Sequence, residues 1–187
     1  MENVGSKIGR IVEPFVKVSY AMWIIDKGAV SVNISVDGAE PNPEQVAETL
    51  ISKGYIREPL ATSNVSWTGR FSFGSKVEVI VTSKPGLDIA ATFQNRTLLV
   101  AECKGEPTPA AVRSGLDRTA FYEAVGQLII ASGSLQSKPQ YKVVVLADTN
   151  RLRGLASDAA QNTLLRQIGV SFALVDRLGN VSEFQSS

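Results

Sequence analysis

Tyr141 to Ala147, YKVVVLA, is apolar at almost every position. Half-buried strands alternate apolar and polar residues, so an unbroken run marks a strand covered on both faces. That feature limits the chain to a sheet with helices packed on each side. The preceding segment predicts a helix from about Leu116 to Ala131, closed by Ser132-Gly133. A second helix is expected from about Gly154 to Ile168, and a last strand from Val170 to Val175. Upstream, Leu87 to Gly105 (LDIAATFQNRTLLVAECKG) reads as two strands joined by a turn. The centre and C-terminal half therefore read β-β-α-β-α-β, an α/β chain with a mixed sheet flanked by helices.

The N-terminal third is harder to read. Ile8, Ile11, Val12 and Phe15 have helical spacing, but Pro14 is expected to interrupt any long helix. Met22 to Ile25 leads into Asp26-Lys27-Gly28, a turn signal. Val30, Val32, Ile34 and Val36 then alternate with polar residues. The expectation is a β-hairpin from Tyr20 to Val36, placed in an N-terminal extension over 1–40, with the core over 41–187 of a single domain. Asn42-Pro43 resembles a helix start, Asn as cap and Pro in the first turn, with Val46, Ala47, Leu50 and Ile51 as its apolar stripe. Phe71 to Thr82 reads as one strand.

The 187 residues, 44% of them hydrophobic, suffice for one core. Nineteen basic residues balance eighteen acidic ones, so nucleic-acid binding would need a local basic patch. There is no histidine and one cysteine. Histidine-dependent triads and nucleases are excluded, and zinc lacks its usual ligands. A bound metal would sit on oxygens, as magnesium, manganese or calcium do. The opening MENVGSKIGR lacks a signal peptide's apolar stretch, and no apolar run is long enough for a membrane helix. The expectation is a cytoplasmic protein without membrane association.

Within the central hairpin, Glu102 and Lys104 share one strand face, while Ala101 and Cys103 point to the other. The turn decides where Asp88 falls. A three-residue turn, Gln94-Asn95-Arg96, pairs Phe93 with Thr97 and sets Asp88 opposite Glu102. A two-residue turn at Asn95-Arg96 sets Asp88 opposite Cys103 and dissolves the cluster. In the first register the opposed carboxylates repel and call for a cation. Asp88, Glu102 and the Cys103 carbonyl could hold magnesium, and Lys104 could orient or help deprotonate an attacking water. That chemistry suits a phosphodiesterase.

Asp88, thirteen intervening residues, then Glu102-Cys103-Lys104 resembles the PD-(D/E)xK nuclease superfamily, whose fold is restriction-endonuclease-like. The following RTAFYEAVGQLIIA, Arg118 to Ala131, is similar to the helix after the family's second acidic strand, with a tyrosine–glutamate pair before a glycine–glutamine. NPEQVAETLISKGY resembles the first core helix, which often adds a glutamate to the metal site. The usual proline before the first acid is here Leu87, with Pro85 three residues before Asp88. The resemblance implies a magnesium- or manganese-dependent enzyme cutting DNA, restriction- or resolvase-like, alone, as a homodimer or within a larger nuclease assembly. It implies metal ligands at Asp88, Glu102, Cys103 and Glu48, with Glu44 competing for the last place, and a supporting role for Gln127. Arg70, Lys76, Lys84, Arg113 and Arg118 are candidate phosphate contacts, and Arg151 and Arg153 could line the same edge. The alternative is a catalytically silent nucleic-acid-binding or assembly module of the same fold.

Overall fold

The computed structural model describes residues 10–74, 77–135 and 141–184. One mixed sheet of nine strands, in the order β2-β3-β4-β1-β5-β6-β7-β8-β9, runs through it. Its strands are β1 (Ala29–Ser35), β2 (Ile56–Glu58), β3 (Gly69–Phe73), β4 (Val77–Thr82), β5 (Ile89–Phe93), β6 (Leu98–Lys104), β7 (Tyr141–Ala147), β8 (Val170–Val175) and β9 (Val181–Phe184). The helices are α1 (Glu13–Asp26), α2 (Gln45–Ser52), α3 (Pro109–Ser114), α4 (Leu116–Gly133), α5 (Asn150–Ala160) and α6 (Thr163–Gln167). No described helix is long and apolar enough to cross a membrane.

The N-terminal hairpin expected from Tyr20 to Val36 is instead a helix followed by a strand, α1 and β1. Pro14 does not interrupt α1. It lies in the first turn, where an N–H has no intrahelical partner to lose. The helix is buried nearly all round, at Val16, Lys17, Val18, Tyr20, Ala21 and Ile24. An enclosed helix shows no amphipathic period, and its valines, isoleucines and aromatics resemble strand composition. Nor is β1 an appendage: it lies mid-sheet, parallel to β4 and antiparallel to β5. Ile8 lies outside the described residues.

Elsewhere the differences are local. Phe71 to Thr82 holds parts of two antiparallel strands, β3 and β4, rather than one strand. Trp67 and Phe71 are buried in the core, and Phe73 packs on Tyr55 with ring centroids 5.4 Å apart. Asn42 is not a cap. It has a left-handed φ of 56°, and α2 begins at Gln45. The expected helix from Gly154 to Ile168 divides into α5 and α6, and Asn162 caps α6 by accepting from the Leu164 and Leu165 amides. The strands β7 and β8 fall where the apolar runs place them.

Register also sorts the two faces. Glu102 aligns with Val144, and Val144 with Phe172, so these three side chains share a face. Phe172 stacks on Phe121 of α4, with centroids 5.9 Å apart. Cys103 therefore points to the opposite side, toward Tyr20 of α1. The ends of β5 and β6 thus lie between the first turns of α1 and α4.

Candidate active site

The hairpin takes the register that joins the acids. Ile89 pairs with Ala101 and Thr92 with Leu98, and Phe93 N–H donates to the Thr97 carbonyl at 3.0 Å. Arg96, at φ 64°, closes a three-residue turn, and the Asn95 side chain accepts from the Thr97 amide. Continuing the ladder sets Asp88 opposite Glu102. Both are buried, Asp88 at 8% exposure and Glu102 at 5%. One Asp88 carboxylate oxygen accepts the Cys103 amide at 2.7 Å, which fixes the acid against the end of β6. Burial, then the neighbouring Asp88, pushes the Glu102 carboxyl up to about 8. At neutral pH the opposed pair relieves its repulsion by keeping a proton.

Four further charged residues join them: Lys17, Glu40, Glu13 and Lys104. Lys17 of α1 is 1% exposed. Its Nζ lies 2.7 Å from Asp88 Oδ1, 2.7 Å from Glu40 Oε1 and 3.4 Å from Glu13 Oε1, and donates to the Ser35 carbonyl at 3.0 Å. Glu40 also accepts the Asp37 amide at 2.6 Å, while its other oxygen is buried without a hydrogen-bond partner. Glu13 Oε2 stands 3.5 Å from Lys104 Nζ. Burial alone would lower the pKa of Lys17, but Asp88, Glu13 and Glu40 together raise it well above the ordinary value. Lys104 behaves alike: burial opposes its charge, and Glu13, Asp88 and Glu102 more than restore it. Both lysines therefore stay cationic. Burial raises the Glu13 carboxyl.

Glu13, Lys17 and Glu40 were not among the residues the sequence singled out. The available signal was Glu13 and Lys17 at i,i+4, a spacing that is meaningful only if the segment is helical. Glu48 and Glu44 do not reach the cluster, whose further carboxylates are those of Glu13 and Glu40. Both Glu44 and Glu48 are exposed, because the buried stripe of α2 is Val46, Ala47 and Leu50. Gln127 is also exposed. The covered face of α4 carries Asp117, Phe121, Ala124 and Leu128, and Gln127 turns away from it. Arg151 is not free for phosphate, since its guanidinium pairs with Asp117, whose side chain is fully buried. Arg153 pairs with Asp148, and Arg70 with Glu78 on the β3–β4 pair, separated from β5 by β1. Arg118 and Lys84 are exposed, and Lys76 lies outside the described residues.

A cavity of about 330 Å³ meets the cluster at Glu13 and Lys104, with Gly105, Asp117 and Phe121 also in its walls; Asp88 and Glu102 lie behind that lining. Gly105 is required by close approach. A Cβ there would stand 2.6 Å from the Glu13 amide nitrogen and 2.9 Å from the Ile11 carbonyl oxygen. Next to it the Glu106 N–H donates to Ile11 O at 2.7 Å, and the Glu106 carboxylate accepts the Ile11 N–H at 3.1 Å. The end of β6 and the start of α1 are thereby clamped together.

Among the described residues, no three acidic or cysteine side chains form a ready-made metal cage. The charge and donor type nevertheless suit a hard divalent cation. Glu13, Glu40, Asp88 and Glu102, once ionised, outnumber Lys17 and Lys104 by two charges, and every side-chain donor is an oxygen. Compared with protein-family models, curated proteins and solved structures, the chain matches none.

Proposed function

We propose that the protein is a divalent-metal-dependent nuclease that hydrolyses DNA phosphodiester bonds in the PD-(D/E)xK manner, on a restriction-endonuclease-like core. One observation carries the reading: Asp88 and Glu102 are opposed and buried at the end of adjacent strands, with Lys104 on the same face as Glu102. The two acids and the Cys103 carbonyl would hold magnesium or manganese. Bound there, the ion supplies a Lewis acid that polarises a phosphoryl oxygen and activates water.

The chain's own residues do the rest. Asp88 is held in place by the Cys103 amide and Lys17. Lys104 projects beside the cavity, steadied by Glu13. Its raised pKa makes it a donor rather than a base, so it orients the attacking water and offsets charge on the phosphoryl oxygens. Glu102 carries a proton until a cation arrives, which couples metal binding to proton release.

A second reading, the catalytically silent nucleic-acid-binding or assembly module, is favoured by Lys17. Its ammonium already compensates Asp88 and Glu40. Purified protein should be incubated with supercoiled plasmid and end-labelled linear DNA in magnesium, manganese or chelator, beside Glu102→Ala and Lys104→Ala. Metal-dependent cutting lost in both variants supports the nuclease. A folded wild type that binds no divalent cation and cuts nothing refutes it in favour of the silent module.

A further inference from the structure

We infer that a single unpaired DNA strand reaches the site along a groove of three arginines, Arg10, Arg113 and Arg177. The inference rests on the nuclease reading and adds the form and path of the substrate. A second hollow of about 530 Å³ adjoins the cavity beside Lys104, and the two share Arg10, Glu106 and Pro107 as lining. Its remaining walls include Arg113, Arg177, Pro109 and Val112. Lys104 and Glu13 line only the first hollow, Arg113 on α3 and Arg177 on the turn after β8 line only the second, and Arg10 lines both.

Charge and wall chemistry both point to a strand. The chain's formal net charge is only +1, so attraction for a polyanion has to be local. Three arginines and one acid, Glu106, line this hollow. That acid is committed: it holds Arg177 at 3.0 Å and accepts the Ile11 amide, so it positions the guanidinium as well as diluting its charge. Guanidiniums recognise phosphate oxygens through paired N–H donors. Proline and valine walls between them offer apolar surface to the faces of unpaired bases, the combination that single-strand grooves use. A duplex keeps its base faces stacked inside and would lie across the mouth, meeting the rim alone. The route also ends at the right atom. A phosphate advanced past Arg10 comes to Lys104, the residue assigned to the attacking water.

The test separates path from chemistry. Binding of a fluorescein-labelled oligothymidylate and of a duplex of equal length is followed by anisotropy in chelator, across a salt series. The proteins are the wild type, Arg10→Ala, Arg113→Glu, Arg177→Ala and the remote control Arg70→Ala, each checked for native circular dichroism. The single strand should bind more tightly than the duplex. Each neutralised groove arginine should weaken it roughly 3- to 10-fold and reduce the slope of log K against log salt by about 0.7. Arg113→Glu, exposed on α3, should weaken it further, and Arg70→Ala should match wild type. Groove variants that bind with wild-type affinity and slope overturn the inference even if the enzyme cuts DNA. Preference for duplex, or binding of neither probe, overturns it as well. Groove-dependent strand binding without cutting in any metal leaves the path standing and removes the nuclease reading.

Discussion

Replacing Lys17 with methionine tests the electrostatics of the site most directly. Methionine keeps the buried stem and deletes the ammonium. That ammonium lies 2.7 Å from both Asp88 and Glu40 and 3.4 Å from Glu13. At an effective dielectric near 20, each 2.7 Å contact represents about 6 kcal/mol of attraction before desolvation. Desolvating Lys17 and its partners offsets much of this, so the intact cluster stabilises the fold only modestly. Removing one partner is different, because the burial remains and the compensation is lost. The expected cost is about 3–5 kcal/mol in chelator. For a chain of this length, that lowers Tm by on the order of 10 °C. Thermal melts by circular dichroism, at mildly alkaline pH in chelator, measure it. Magnesium should recover much of the loss, because a divalent ion replaces the missing charge. Acid should also narrow the gap, since protonated carboxyls no longer need a counter-ion. A metal-free loss below about 1 kcal/mol, or a full-sized loss that neither magnesium nor acid reduces, would refute the account and leave Lys17 as packing.

Other perturbations read the same cluster from different sides. Without metal, folded Glu102 keeps its proton up to about pH 8, whereas the unfolded chain releases it near 4.5. Stability measured by urea should therefore fall as pH rises through that window, and Glu102→Gln should flatten the slope; a wild-type profile that is flat or rising refutes the assignment. Gly105→Ala drives a methyl into the backbone of Ile11 and Glu13, so a loss of about 1–3 kcal/mol is expected by denaturation. On the proposed nuclease reading it should also reduce cutting beyond what that loss explains, because Glu13 and Lys104 shift apart. Arg151→Ala should destabilise at neutral pH by stranding buried Asp117, whose carboxyl Arg151 holds below the ordinary 3.8. That penalty should shrink as pH falls below 3.8 and the carboxyl protonates; a penalty independent of pH would mean that Arg151 acts by packing.

What could be read in advance follows from which physical signals are local. The β5–β6 hairpin was legible because alternation and turn length limit the register to two choices, and the structure takes the one joining Asp88 to Glu102. The runs in β7 and β8 were legible because burial on both faces leaves no polar position. The first turn of α1 was not. Its helical character depends on being enclosed by strands far along the chain, β8 and β9 included, and an enclosed helix has no polar face to mark its period. Missing α1 meant missing Glu13 and Lys17. With α1 hidden, the upstream carboxylates at helical spacing are those of α2, where Asn42-Pro43 imitates a cap and Glu48 faces solvent. Gln127 failed for a related reason. A motif match fixes its place along α4, but the face that packs depends on Phe121 meeting Phe172.

The placement of Gly105 connects these misses to the site. The chain leaves β6 immediately after Lys104, and Gly105 lets that exit pass against the backbone of Ile11, Val12 and Glu13. Glu106 then binds both the carbonyl and the amide of Ile11. Helix α1 therefore starts at a position dictated by the end of β6, and Pro14 in its first turn costs nothing there. From that start Glu13 reaches Lys104, and one turn later Lys17 reaches Asp88. The buried lysine holds the acids together. The partly exposed one, at 26%, opens onto the cavity. This division of labour gives the catalytic and silent readings different expectations. If Lys17 alone completes the charge balance, its loss should be irreparable by cations. If a divalent ion is the missing partner, that ion should bind the Lys17→Met protein more tightly than the wild type, because it no longer competes with an ammonium tethered to the same carboxylates.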